Sequence, residues 1–204
     1  MKCRQAGFTL IELMVVIAIV GVLVTMALVY MRPRVRPIDV AIRFGDLVHE
    51  ASRRAVALGP VRDDVVQQLN LRARTEIAAV PSGSTVTFTL YRFQEAPLGT
   101  ATGTWIPIDS YTTDTKVMVD SWAPDVVDHT SSKLATDWSA WAPPLPELLS
   151  ASPPRTPLQC RPDGTCDACT VFFQAAIAGP TFEQFARISI MPLGGAVMTS
   201  PSWN

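Results

Sequence analysis

The chain has little charge, only two histidines and no catalytic signature, and each shortage removes a class of function. Asp, Glu, Lys and Arg make up 17% of its 204 residues, and the formal net charge is −1. Nucleic acid is therefore not expected as the main partner, because phosphate binding needs a concentrated basic surface. No internal repeat appears at the periods of solenoids or propellers, which sets those folds aside. The sequence has no Gly-rich phosphate loop, no GxSxG elbow and no HExxH. His129, with Asp128 and Ser131, is a polar loop run, and a triad is defined by spatial geometry that such a run does not supply. His49 has no metal-spaced partner and reads as a surface or boundary residue. The Asp163 loop lacks the spacing of an oxygen-rich calcium site. No enzyme activity, no cofactor and no metal site are expected.

What the chain does have is one long apolar run. GFTLIELMVVIAIVGVLVTMALVYM, from Gly7 to Met31, carries almost nothing charged and is long enough to cross a bilayer, which needs about 20 apolar residues. One carboxylate interrupts it, Glu12, four residues after the run begins at Phe8. A charge in hydrocarbon costs about 3 kcal/mol or more, so such residues usually have a partner and a purpose. The lead MKCRQAG is short and carries Lys2 and Arg4, as targeting segments do. A secretory signal would have a shorter apolar region of about 7–15 residues and a small-residue cleavage site after it. Here the small residue, Gly7, precedes the run. A cut after Gly7 removes the charged lead, keeps the helix and leaves Phe8 with a free ammonium at the membrane edge.

Gly7-Phe8 followed by TLIELMVVIAIVGVL resembles the class III signal of type IV prepilins and type II secretion pseudopilins. The resemblance implies that a prepilin peptidase cuts between Gly7 and Phe8 and methylates the amine of Phe8. It also implies that Glu12 pairs with the N-terminal amine of a neighbouring subunit during filament assembly. Elementary electrostatics agrees, because a desolvated carboxylate needs a cation and a neighbour's N-terminus supplies one inside a helix bundle. Arg32, Arg34 and Arg36 outnumber Lys2 and Arg4, so the positive-inside rule taken alone would keep the C-terminal part in the cytoplasm. The resemblance places it outside, and RPRVRP then reads as a basic collar on lipid head groups.

Pro33 and Pro37 predict a kink or pause between Tyr30 and Ile38. Beyond it Val40, Phe44, Leu47, Val48, Ala51, Ala55 and Leu58 recur at helical spacing, and Gly59-Pro60 stops the helix. Strands are expected at 64–73, at 85–93 (TVTFTLYRF, with strict alternation), at 169–175, at 185–191 and at 196–199, with turns at Ser82-Gly83, Gly179-Pro180 and Gly194-Gly195. Segment 94–159 holds Trp105, Trp122, Trp138 and Trp141, short candidate strands at 104–108 and 116–119, and a proline-rich stretch from Pro143 to Pro157. It reads as a Trp/Pro-rich insertion: each Trp is expected to pack the segment onto its own domain, and the segment as a whole to bind a partner.

EASRRAVALG and the closing run VFF, turn, RISIMPLGGAV are similar to the GspH/FimT-like group of minor pilins and pseudopilins. The expected fold is α+β and pilin-like, a long N-terminal helix packed on an antiparallel sheet domain. Its expected divisions are a leader at 1–7, a transmembrane and assembly helix at 8–31, an amphipathic second half at 32–60 and a β-rich domain at 61–204. Cys3 leaves with the leader, so Cys160, Cys166 and Cys169 remain on the oxidising side of the membrane. One disulfide is expected, from Cys160 to either Cys169 or Cys166. The first closes a loop of about ten residues and contributes roughly 2–3 kcal/mol. Cys166-Asp167-Ala168-Cys169 looks like a redox or zinc half-site, but no second Cys pair follows.

The expected function is that of a minor pilin in a priming or tip complex of a type IV pilus. The expected location is the inner membrane, with a periplasmic domain, and then the filament. Its expected partners are the prepilin peptidase, other major and minor pilins or pseudopilins, the inner-membrane assembly platform and a tip adhesin. The rivals are a minor pseudopilin of a type II secretion system and a membrane-tethered periplasmic binding or catalytic domain.

Overall fold

A computed structural model describes residues 10–30, 35–61, 71–96, 98, 103–141, 158–176, 184–193 and 197–203. Helix α1 is Leu10–Tyr30, and it belongs to a unit separate from residues 35–204. The second unit starts with α2, Pro37–Leu58, and continues with β1 (Thr75–Ser82), β2 (Thr85–Glu95), β3 (Gly103–Thr112), β4 (Val117–Ala123), a 3-10 turn (Trp138–Trp141), β5 (Gln159–Cys160), β6 (Cys169–Ala175), β7 (Phe185–Ile190) and β8 (Val197–Ser200). The strands form two antiparallel four-stranded sheets, ordered β3-β2-β1-β5 and β4-β6-β7-β8. This is the α+β, helix-on-sheet arrangement expected of a pilin-like fold.

Helix α2 begins where Pro37 no longer needs an amide hydrogen to donate, since first-turn N–H groups lack intrahelical acceptors. Asp39 accepts a 3.2 Å hydrogen bond from the Arg36 backbone N–H, which completes the cap. The helix ends at Gly59, whose φ of 65° suits glycine, with Pro60 next. Val40, Ala41, Phe44, Leu47, Val48, Ala51 and Ala55 are buried at a period of three and four, while Arg43, Asp46, His49 and Arg53 are exposed. Phe44 is the hub of that face. Its ring lies 4.5 Å from Phe88 of β2 and 6.3 Å from Phe173 of β6, so one helical residue packs on both sheets. Thr75 of β1 reinforces the seam by donating its hydroxyl to the Ala51 carbonyl at 2.9 Å.

The helix can approach β7 and β8 because position 45 is glycine. A Cβ there would lie 3.1 Å from Ile188 Cδ1 and 3.1 Å from Val197 Cγ1. Gly45→Val is expected to overpack this contact and destabilise the domain by about 1–3 kcal/mol. Gly45→Ala, whose better helix propensity offsets part of the crowding, is expected to fall within about 1 kcal/mol of the parent. Denaturant midpoints of the two variants check the difference.

Strands β2, β6, β7 and β8 lie within a residue or two of their expected positions. Strand β1 does not coincide with the strand expected at 64–73. Residues 62–70 lie outside the described residues, and Leu71, Arg72 and Ala73 are not in a strand. Strand β1 itself, TEIAAVPS, is obscured in sequence because it is buried on both faces along Thr75–Ala79 and contains Glu76 and Pro81. Segment 94–159 supplies β3 and β4, each longer than the short strands expected there, and the chain crosses from one sheet to the other at Thr113–Lys116. Asp114 makes that crossing tight: its carbonyl accepts from Val117 N–H at 3.0 Å and its carboxylate from Lys116 N–H at 2.8 Å. The proline-rich stretch at 143–157 and the turns at Gly179-Pro180 and Gly194-Gly195 lie outside the described residues.

Candidate functional site: the N-terminal helix

Helix α1, LIELMVVIAIVGVLVTMALVY, has 21 residues. At 1.5 Å per residue it is about 31 Å long, matching a hydrocarbon core of about 30 Å. Its apolar residues are exposed on every side: Leu10, Ile11, Met14, Ile17 and Leu23 are each more than half exposed, and none in the span is buried. A helix apolar all round is suited to lipid or to a bundle of similar helices, not to one flank of a water-facing domain. Thr25 places its hydroxyl on its own helix, donating to the Gly21 carbonyl at 2.5 Å, so its polarity is absorbed locally. Glu12 is the acidic residue of the first turn, where the helix dipole favours negative charge. Gly7 and Phe8 lie outside the described residues.

The expected disulfide is present and joins Cys160 to Cys166. Cys169 is a buried free thiol, and burial, with Asp167 beside it, pushes its pKa well above the ordinary range. Arg161, Pro162, Asp163 and Gly164 turn the chain between the bonded cysteines: Gly164 has a φ of 85°, and Asp163 accepts from both the N–H and the hydroxyl of Thr165. Those hydrogen bonds hold the Asp163 carboxyl below its usual range.

Two side-chain assemblies were not visible in the sequence. Trp141 is fully buried and donates its indole N–H to the Ile77 carbonyl at 2.7 Å. Its ring meets Phe88, Trp122 and Trp138 at 5.9, 5.2 and 5.5 Å. Trp122 is on β4 and Ile77 on β1, so the cluster clamps one sheet to the other. Trp105 instead packs on Phe93 at 5.6 Å. The tryptophans thus pack this segment onto its own domain, as expected of each singly. Trp138 of the cluster borders an open groove, of about 450 Å³, beside Val80, Pro81 and Asp137.

The second assembly is centred on His129. A bulge in β4 leaves Asp120 as the extra residue, and its carboxylate meets His129 Nε2 at 2.9 Å. The imidazole stacks on Trp203 at 3.8 Å and meets Phe172 edge-on at 5.0 Å. Trp203 donates its indole N–H to the Phe173 carbonyl at 3.1 Å. This arrangement covers the outer side of the β4-β6-β7-β8 sheet and is a packing device. His49 is exposed on α2.

The family model for the prokaryotic N-terminal methylation motif matches residues 2–28. No curated protein and no solved structure matches the chain. The matched motif, carried on an apolar helix and followed by a helix packed on antiparallel sheets, marks this chain as a type IV pilin-like protein.

Proposed function

We propose that this chain is a minor pilin of a type IV pilus, a non-enzymatic subunit that enters a priming or tip complex and helps to start the filament. The observation that carries the reading is the methylation motif at residues 2–28 on a helix whose one described charge is Glu12. In this reading prepilin peptidase removes residues 1–7, cutting between Gly7 and Phe8, and Phe8 becomes the methylated N-terminus. Residues 8–31 hold the protein in the inner membrane, and segment 32–60, which includes the amphipathic helix α2, carries the β-rich domain, 61–204, in the periplasm. On assembly α1 leaves lipid for a bundle of equivalent helices on the inner-membrane platform. Pairing of Glu12 with the amine of a neighbouring pilin then offsets the burial of its charge and sets the axial register. The Trp-bearing segment of the domain is the part suited to carry a tip adhesin.

Glu12→Ala tests the mechanism. The variant is expected to insert in the membrane and to be processed like the parent, while its recovery in sheared filament fractions falls about tenfold or more, the scale of one lost buried charge pair. Incorporation at the parental level would show that α1 is only a tether. A deletion strain that loses exoprotein release and keeps its surface pili would assign the subunit to a secretion pseudopilus instead.

A further inference from the structure

Cysteines 160, 166 and 169 lie within ten residues of chain, and their separations do not single out the pairing of Cys160 with Cys166 before folding. Loop closure over nine residues instead of six is disfavoured by less than a factor of about two. The folded chain decides sharply. Cys160 of β5 sits directly across from Cys166 in an antiparallel bridge, and the Asp167 N–H donates to the Gln159 carbonyl at 2.9 Å. From Cys166 the chain runs alongside β7: Cys166 N–H donates to the Pro192 carbonyl at 2.9 Å, and Cys169 pairs with Ile190. With β6 in place Cys160 and Cys166 are bonded to each other, and Cys169 is left as a free thiol buried in the same core cluster.

We propose that Cys169 makes this domain a substrate for thiol–disulfide isomerisation: the domain forms its first disulfide before β6 is docked, mispairs through Cys169, and reaches the folded pairing by an internal exchange that an added dithiol speeds. In a mispaired chain, Cys160–Cys169 or Cys166–Cys169, the remaining free thiolate attacks the sulfur of its native partner. The native S–S bond forms, the mispaired bond breaks, and the electron pair leaves on Cys169, which takes up a proton and is buried with β6. The rearrangement involves no net oxidation. Burial then disfavours the Cys169 thiolate that would attack the finished bond.

The test uses the full chain carrying Cys3→Ser, in detergent, reduced and unfolded and then returned to native conditions with oxidised glutathione. Samples are alkylated over time, and cleavage before Asp163 and Asp167 places the three cysteines on separate peptides. With no preference in the unfolded chain, roughly two thirds of the first-formed disulfides should be mispaired. These should convert to Cys160–Cys166 severalfold faster when a small dithiol is added. In Cys169→Ala the early yield of the native bond should rise roughly threefold, with no effect of the dithiol. Should that variant fail to fold, the peptides of the parent decide alone. Direct passage of the parent from reduced chain to Cys160–Cys166, with no mispaired peptide at any time, overturns the proposal.

Discussion

Trp141→Ala is expected to be the most damaging single substitution in the domain. Truncating a buried aromatic costs about 3–5 kcal/mol through lost contacts and the cavity left behind. Here the Ile77 carbonyl also loses the indole N–H that satisfies it, at a further ~1–3 kcal/mol. Total stability of a domain is usually about 5–15 kcal/mol, so the variant should be partly unfolded at 37 °C. Trp141→Phe separates the two contributions, because it keeps most of the ring and removes only the donor; it should cost about 1–3 kcal/mol. Unfolding of both variants followed by circular dichroism, which does not rely on the indole being removed, gives the comparison. A cost below about 1 kcal/mol for Trp141→Ala would mean that the cluster fills space without joining the sheets.

The second large effect is expected at the Arg74–Glu95 ion pair, whose side chains are 6% and 10% exposed. Glu95→Ala leaves the Arg74 guanidinium buried against the Phe93 ring, 5.8 Å from the ring centre, without its carboxylate. An uncompensated buried charge of this kind costs about 3–5 kcal/mol. Replacing both partners at once, Arg74→Met with Glu95→Leu, should recover most of that loss or exceed the parent, since two ions no longer lose their hydration. The unfolding free energies of the parent, the single and the double variant give the comparison. Similar costs for the single and the double variant would show that the charges are solvated after all.

How far the sequence foretold this molecule depended on how local each signal was. The methylation motif, its glycine, its carboxylate and its apolar helix occupy one continuous run, so the candidate site was legible from the order of residues alone. So was the buried stripe of α2, and so were the alternating strands β2 and β7. Strand β1 was not, because a segment buried on both sides shows no alternation and Pro81 argues against a strand interior. The Trp141 clamp joins residues 64 apart in sequence, and the His129–Trp203 stack joins residues farther apart still. No period or spacing announces contacts of that range. The cysteine pairing was left between two choices for a related reason: chain statistics are nearly indifferent, and only the antiparallel bridge of β5 selects Cys166.

The placement of Phe44 against both Phe88 and Phe173 has a thermodynamic consequence. A sheet with one wet face could in principle melt by itself, leaving its neighbour standing. Here each sheet uses the same helical face as its dry side, so withdrawing α2 exposes both apolar layers together. Heat or denaturant should then find no half-melted intermediate to populate, and probes placed in either sheet should report one coincident, all-or-none transition. A domain of this kind stays whole or is lost whole.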